Sequence, residues 1–246
     1  MVDEGGTASE ERDGALETDM LVSPRRTALR AHRGEIVFGA ALILYAALAG
    51  FAHYYAYFGW DLELERSIQA ITLPGFNTLM RLVSMIGNGR VPVALVSIAG
   101  LTLLFARLRI ECLICVIGVA SGAGLNRLFK AWISRPRPTE PLVQVVYNVA
   151  HESFPSGHVI FFIEFFGFLF FLCYVLLKPG VVRRFALAQC GTLTALVGVS
   201  RVYLGAHWPS DVLGAYLAGG MWLFLMIEVY RRLKSKQLRE DAVGIG

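Results

Sequence analysis

Apolar runs constrain this chain more than anything else in it. Six stretches, at about residues 36–57, 91–106, 110–129, 158–177, 185–203 and 211–230, are dominated by Ile, Leu, Val, Phe, Ala and Gly. A helix of ~20 apolar residues matches the ~30 Å hydrocarbon layer of a bilayer. Only a helix or a closed barrel satisfies its own backbone polar groups there. Hydrophobic residues make up 55% of the chain and charged residues 17%, a balance foreign to ordinary soluble domains. The fold class that follows is all-α: a polytopic membrane protein with six transmembrane helices. Residues 60–89, where Leu62, Leu64, Ile68 and Ile71 alternate with Asp61, Glu63, Glu65 and Arg66 before Pro74, predict two short helices lying in the interface between the first and second spans.

The polar segments give the organisation. Residues 1–33 read as a disordered cytoplasmic tail, acidic and then basic, too polar to fold alone. Residues 34–232 form the membrane domain, and residues 233–246 a cytoplasmic C-terminal tail. With the N-terminus inside, fifteen of the 23 Lys and Arg residues fall on the inner side. The positive-inside rule therefore places both termini in the cytoplasm. The net charge of +4 is membrane-topology charge and implies no nucleic-acid partner. Cys112, Cys115, Cys173 and Cys190 lie inside apolar runs with no histidine set to complete a metal site, so they read as small apolar residues.

Three polar clusters stand at span ends, and the charge argument puts all of them on the outer face. They are KAWISRPRP (Lys130 to Pro138), FPSGH (Phe154 to His158) and SRVYLGAHWPSD (Ser200 to Asp211). Each alone is explained by a basic loop, a helix cap or a polar turn. Together they are a kit for a phosphate ester. Lys130, Arg137 and Arg201 supply positive charge. Pro155 suits a first helical position, Gly157 allows close backbone approach, and the helix start binds anions, with Ser156 adding a hydroxyl. His207 precedes Asp211 by four positions, near a helix start marked by Pro209. A carboxylate there can hold one ring nitrogen and leave the other free to attack phosphorus. His158 is then the acid for the leaving oxygen.

The spacing Lys130-x6-Arg137-Pro138, Pro155-Ser156-Gly157-His158 and Ser200-Arg201-x5-His207-x3-Asp211 resembles the three-part signature of the type 2 phosphatidic acid phosphatase superfamily. These are membrane lipid phosphatases related in their active site to vanadium haloperoxidases. The resemblance implies metal-independent hydrolysis with no cofactor. His207 would form a phosphohistidine, oriented by Asp211, with His158 protonating the leaving group. Lys130, Arg137, Ser156, Gly157 and Arg201 would hold the phosphate, and Pro138, Pro155 and Ser200 would support it. The compact form resembles bacterial members, which implies the inner membrane.

Four further residues carry weaker expectations. Arg135 has two readings of equal weight, contact with a second phosphate or a solvated loop arginine. His151 and Glu152 read as polar loop. Glu164, about 9 Å below His158 at 1.5 Å per residue, is expected to face the bundle and pair with a polar or basic group. The expected substrate is a lipid phosphate or diphosphate, with undecaprenyl diphosphate first, then phosphatidylglycerol phosphate, phosphatidic acid or a lipid A phosphate. The competing functions are a lipid phosphotransferase using the same phosphohistidine and, in another class, an anion or lipid transporter. No internal repeat favours the transporter.

Overall fold

The computed structural model describes residues 24–146 and 152–243. The first 23 residues of the expected tail, and His151, lie outside the described residues. The described residues form eight helices in order: α1 Pro24–Tyr54, α2 Gly59–Gln69, α3 Phe76–Ile86, α4 Val91–Phe105, α5 Arg109–Ile133, α6 Gly157–Leu176, α7 Val181–Tyr203 and α8 Pro209–Val243. The chain divides into two compact units, residues 1–41 and 42–246. The described part of the first unit is helical from Pro24, within the segment expected to be a disordered tail. The second unit holds the rest.

Among the described residues, five helices are long and apolar enough to cross a membrane: Arg33–Tyr54, Arg109–Ile133, Gly157–Leu176, Val181–Tyr203 and Pro209–Glu240. The expected second span differs. Helix α4 has 15 residues, about 22 Å at 1.5 Å per residue, short of a hydrocarbon layer. It reaches spanning length only together with α3, from which it is bent by 62°. Helix α8 continues to Val243, so most of the segment expected as a C-terminal tail is a helical extension of the last span.

Helix α6 is central, packed against α5, α7 and α8. Its phenylalanines are the reason. Phe161, Phe162, Phe165, Phe166 and Phe168 are all buried, with Phe161 stacked on Phe165 at 5.4 Å and Phe162 against Phe166 at 5.1 Å. In lipid there is little hydrophobic gain in bringing helices together, so close contact of this kind must hold them. Small residues on α5 let α6 approach, as the Ser121–Gly124 stretch suggests. A Cβ at Gly122 would lie 2.0 Å from Glu164 Oε1. Glu164 does face the bundle and is buried. Among the described residues its carboxyl lies against the backbone of Gly122, and no hydrogen bond or ion pair to it is seen. The four cysteines are free; Cys115 and Cys190 are buried, while Cys112 and Cys173 are partly exposed.

The short helix α2 is turned the other way from a simple interfacial helix. Asp61 and Glu65 are fully buried, while Trp60 and Leu64 are 43% and 45% exposed. Two of its three carboxylates face protein, with Glu63 exposed, while Trp60 and Leu64 face out. The reason lies in what Asp61 meets.

Candidate active site

The site forms where one end of the bundle gathers the C-terminal ends of α5 and α7, the N-terminal ends of α6 and α8, and the loops between them. Helix α8 begins at Pro209, as its φ preference predicts. Asp211 then sits at the third helical position and its Oδ2 accepts from the Trp208 N–H at 2.9 Å, half of a capping box. This local bond fixes the carboxylate beside His207, which lies in the turn just before the helix. His207 Nδ1 is 3.6 Å from Asp211 Oδ2. Ser153 stands between them. Its hydroxyl donates to Asp211 Oδ2 and lies 3.4 Å from His207 Nδ1.

The other ring nitrogen, Nε2, meets Arg137 Nη1 at 3.2 Å. Nδ1 is thus turned to the carboxylate side and Nε2 to the cation side. Arg137 is held by the carbonyls of Ala206 (2.5 Å) and Glu152 (3.2 Å). Lys130 Nζ donates to the carbonyls of Glu152 (2.5 Å) and Ser153 (3.1 Å). Arg201 Nη1 donates to Ser84 Oγ at 2.5 Å, and Ser200 Oγ to the Met80 carbonyl at 2.6 Å. Burial first, then the charges of Arg137, Lys130, Arg201 and His158, hold the His207 ring well below the ordinary histidine value. Held neutral, the imidazole keeps a lone pair beside three cations, which is the chemistry a nucleophile facing an anion requires.

The second cluster differs in register from its expectation. Pro155 is not the first helical residue. Ser156 is the N-cap, extended at φ −70° and ψ 113°, because its N–H is taken by the Asp211 carbonyl at 3.3 Å. Pro155 and Pro138 are both buried. The Ser156 hydroxyl is buried and makes no hydrogen bond among the described residues. Gly157 and His158 begin α6, where the helix start exposes N–H groups. His158 Nε2 donates to Asn88 Oδ1 at 2.8 Å. Its ring lies so close to Gly87 that a Cβ there would be 2.3 Å from His158 Cδ2.

Arg135 overturns both of its expected readings. It is neither solvated nor turned to a second phosphate, being 1% exposed. Its Nη1 donates to Asp211 Oδ1 (2.6 Å) and Ser210 Oγ (2.7 Å), and its Nη2 to Asp61 Oδ2 (3.0 Å). Its Nε donates to the carbonyls of Tyr55 (3.3 Å) and Ala56 (3.1 Å). The two carboxylates behind the histidine draw it inward.

Residues outside the three clusters complete the site: Asp61, Ser84, Gly87, Asn88 and Ser153. Glu65, one helical turn after Asp61, is a different case. Neither of its carboxyl oxygens has a partner among the described residues. Burial first, then Asp211 and Asp61, raise its pKa from 4.5 to about 9. The folded state therefore holds a proton that the unfolded chain releases above about 4.5, so stability falls as pH rises from 4.5 to about 9. Glu65→Gln is expected to unfold at a higher temperature than wild type, with the gap widening from pH 5 to pH 9. A constant gap in thermal unfolding across that range would show that Glu65 is ionised in the fold.

The comparisons agree with this architecture. Residues 111–235 match the PAP2 superfamily. Phosphatidylglycerophosphatase B of Bacillus subtilis (strain 168) is 30% identical over 186 residues, 75% of this chain and 90% of that protein. The chain belongs to the PAP2 superfamily. An undecaprenyl-diphosphatase of Sulfolobus acidocaldarius is 28% identical over 180 residues, 70% of this chain and 79% of that protein. The crystal structure of a transmembrane PAP2-type phosphatidylglycerolphosphate phosphatase from Bacillus subtilis superposes with a TM-score of 0.69 at 26% identity, covering 79% of this chain and 96% of that one. This PAP2 chain is thus an integral membrane protein of a lipid phosphatase family.

Proposed function

We propose that this PAP2 protein removes phosphate from a membrane lipid through a phosphohistidine on His207, without a metal ion. The observation that carries the reading is the His207 ring, with Nδ1 turned to Asp211 and Ser153 and Nε2 set against Arg137 at 3.2 Å. Arg137, Lys130, Arg201, the Ser156 hydroxyl and the first N–H groups of α6 take the phosphoryl oxygens. His207 Nε2 attacks phosphorus as the bond to the lipid oxygen breaks. His158 gives that oxygen its proton, and Asp211 balances the imidazolium charge. Water, deprotonated by His158, then breaks the P–N bond and releases phosphate. The distribution of Lys and Arg supports both termini in the cytoplasm of a bacterial inner membrane, with this site on the outer face.

Two substrates head the field. Undecaprenyl diphosphate ranks first on the sequence alone. Arg135, the residue that would read a second phosphate, is instead held behind Asp211. We therefore place a phosphomonoester, phosphatidylglycerophosphate, ahead of the diphosphate. The test is phosphate release by purified protein in detergent with EDTA, from both lipids, phosphatidic acid and a lipid A phosphate. Release that survives EDTA, fastest from phosphatidylglycerophosphate, is expected. Faster release from undecaprenyl diphosphate would reverse the ranking. No release from any of the four by folded protein would sink the hydrolase reading.

A further inference from the structure

Among the described residues, the most fully connected polar group outside the three clusters is Asp61 on the short helix α2. Its Oδ1 accepts the backbone N–H of Ser210 at 2.8 Å. Its Oδ2 accepts the Ser210 hydroxyl at 2.7 Å, Arg135 Nη2 at 3.0 Å and the Phe58 N–H at 3.0 Å. Asp61 therefore caps the start of α8 from a different helix and grips the guanidinium that grips Asp211. Arg135 lies between two carboxylates, at 3.0 Å from Asp61 and 2.6 Å from Asp211, with every side chain involved fully buried. The Phe58 ring lies 4.9 Å from its Cζ.

Stability alone is a poor reason for such an arrangement, because desolvating buried ions offsets most of their attraction. The geometry points to a different role. Asp211 has two oxygens with two tasks. Oδ1 is taken by Arg135, and this leaves Oδ2 for Ser153, Trp208 and the His207 side. A carboxylate free to rotate would present either oxygen to the histidine. We propose that Asp61, acting through Arg135 and Ser210, is a positioning residue for Asp211 and hence for the His207 ring. Helix α2 is then part of the catalytic apparatus rather than a surface element. The inference rests on His207 being the nucleophile.

Asp61→Asn tests it, because asparagine keeps the shape and an acceptor oxygen while removing the charge that holds Arg135. Arg135→Lys is the second variant. It keeps the charge but loses the fork that reaches both carboxylates. Losing an outer partner of this kind lowers activity by about 10–100-fold. In full-length protein, kcat should fall by that factor in both variants at a temperature well below unfolding. The KM for the lipid and the inhibition constant for inorganic phosphate should stay within about twofold, because the phosphate-binding cations are untouched. Unchanged kcat in Asp61→Asn would overturn the proposal. So would a fall in which KM and phosphate affinity worsen together with thermal stability, since that is general loosening. Trapping the phosphoenzyme keeps two failures apart. Wild type and Asp61→Asn forming it equally fast defeats this inference alone. No phosphoenzyme in wild type defeats the functional reading beneath it.

Discussion

Replacing His207 with asparagine is expected to remove the phosphoenzyme and lower kcat by about 10⁵-fold or more, the scale on which nucleophile deletions fall. Asparagine fills similar space and can still accept from Arg137, so binding should survive better than turnover. Lys130, Arg137 and Arg201 remain, held by Glu152, Ser153, Ala206 and Ser84. Inorganic phosphate should therefore still inhibit photolabelling by a phosphate-mimicking probe in the variant. The pH profile gives a second reading in wild type. Burial and the surrounding cations disfavour protonated His207, so the neutral nucleophile persists below the usual histidine range. The acid limb of kcat/KM, which reports the free enzyme, should lie below that range. A His207→Asn enzyme that still forms an acid-labile phosphoenzyme would assign the nucleophile elsewhere.

The sequence made some of this site legible and hid the rest for identifiable reasons. Lys130, Arg137, His158, Arg201, His207 and Asp211 can be picked out because fixed spacing at the ends of apolar runs betrays them. Their convergence follows once the spans are counted. Arg135 shows the limit. Two residues from Arg137, it has the same chemistry but serves Asp61, 74 residues away, and Asp211, 76 residues away. Nothing local distinguishes an arginine that faces phosphate from one that faces carboxylates. Asp61 itself was hidden by alternation with apolar residues, a pattern that reads as an amphipathic helix with its charges in water. Asp61 and Glu65 sit four apart on one helical face, which is the one signal that could have marked a buried polar stripe. Ser84 and Asn88 sit about 70 or more residues from the groups they bond, on the bent α3–α4 pair whose geometry hydropathy does not encode.

His158 should separate proton transfer from phosphate binding, and in doing so identify the leaving group. The proposed reaction makes it the acid. Nε2 carries a hydrogen to Asn88 Oδ1 at 2.8 Å, and Gly87 lets the ring pack against the loop backbone. A lipid alkoxide is a poor leaving group and needs that proton as the P–O bond breaks. General acid catalysis of this kind is worth about 10²–10⁴-fold, so His158→Asn should lose that much against phosphatidylglycerophosphate. Against p-nitrophenyl phosphate, whose phenolate leaves without help, the loss in phosphoenzyme formation should be under about tenfold if His158 acts only as the acid. A lipid diphosphate should behave like p-nitrophenyl phosphate, because the departing lipid phosphate, like the phenolate, is a far better leaving group than an alkoxide. The pattern of the three losses therefore reports the chemistry of the departing oxygen. Equal losses across the series would place His158 among the phosphate-binding groups and leave the acid to be found elsewhere in the site.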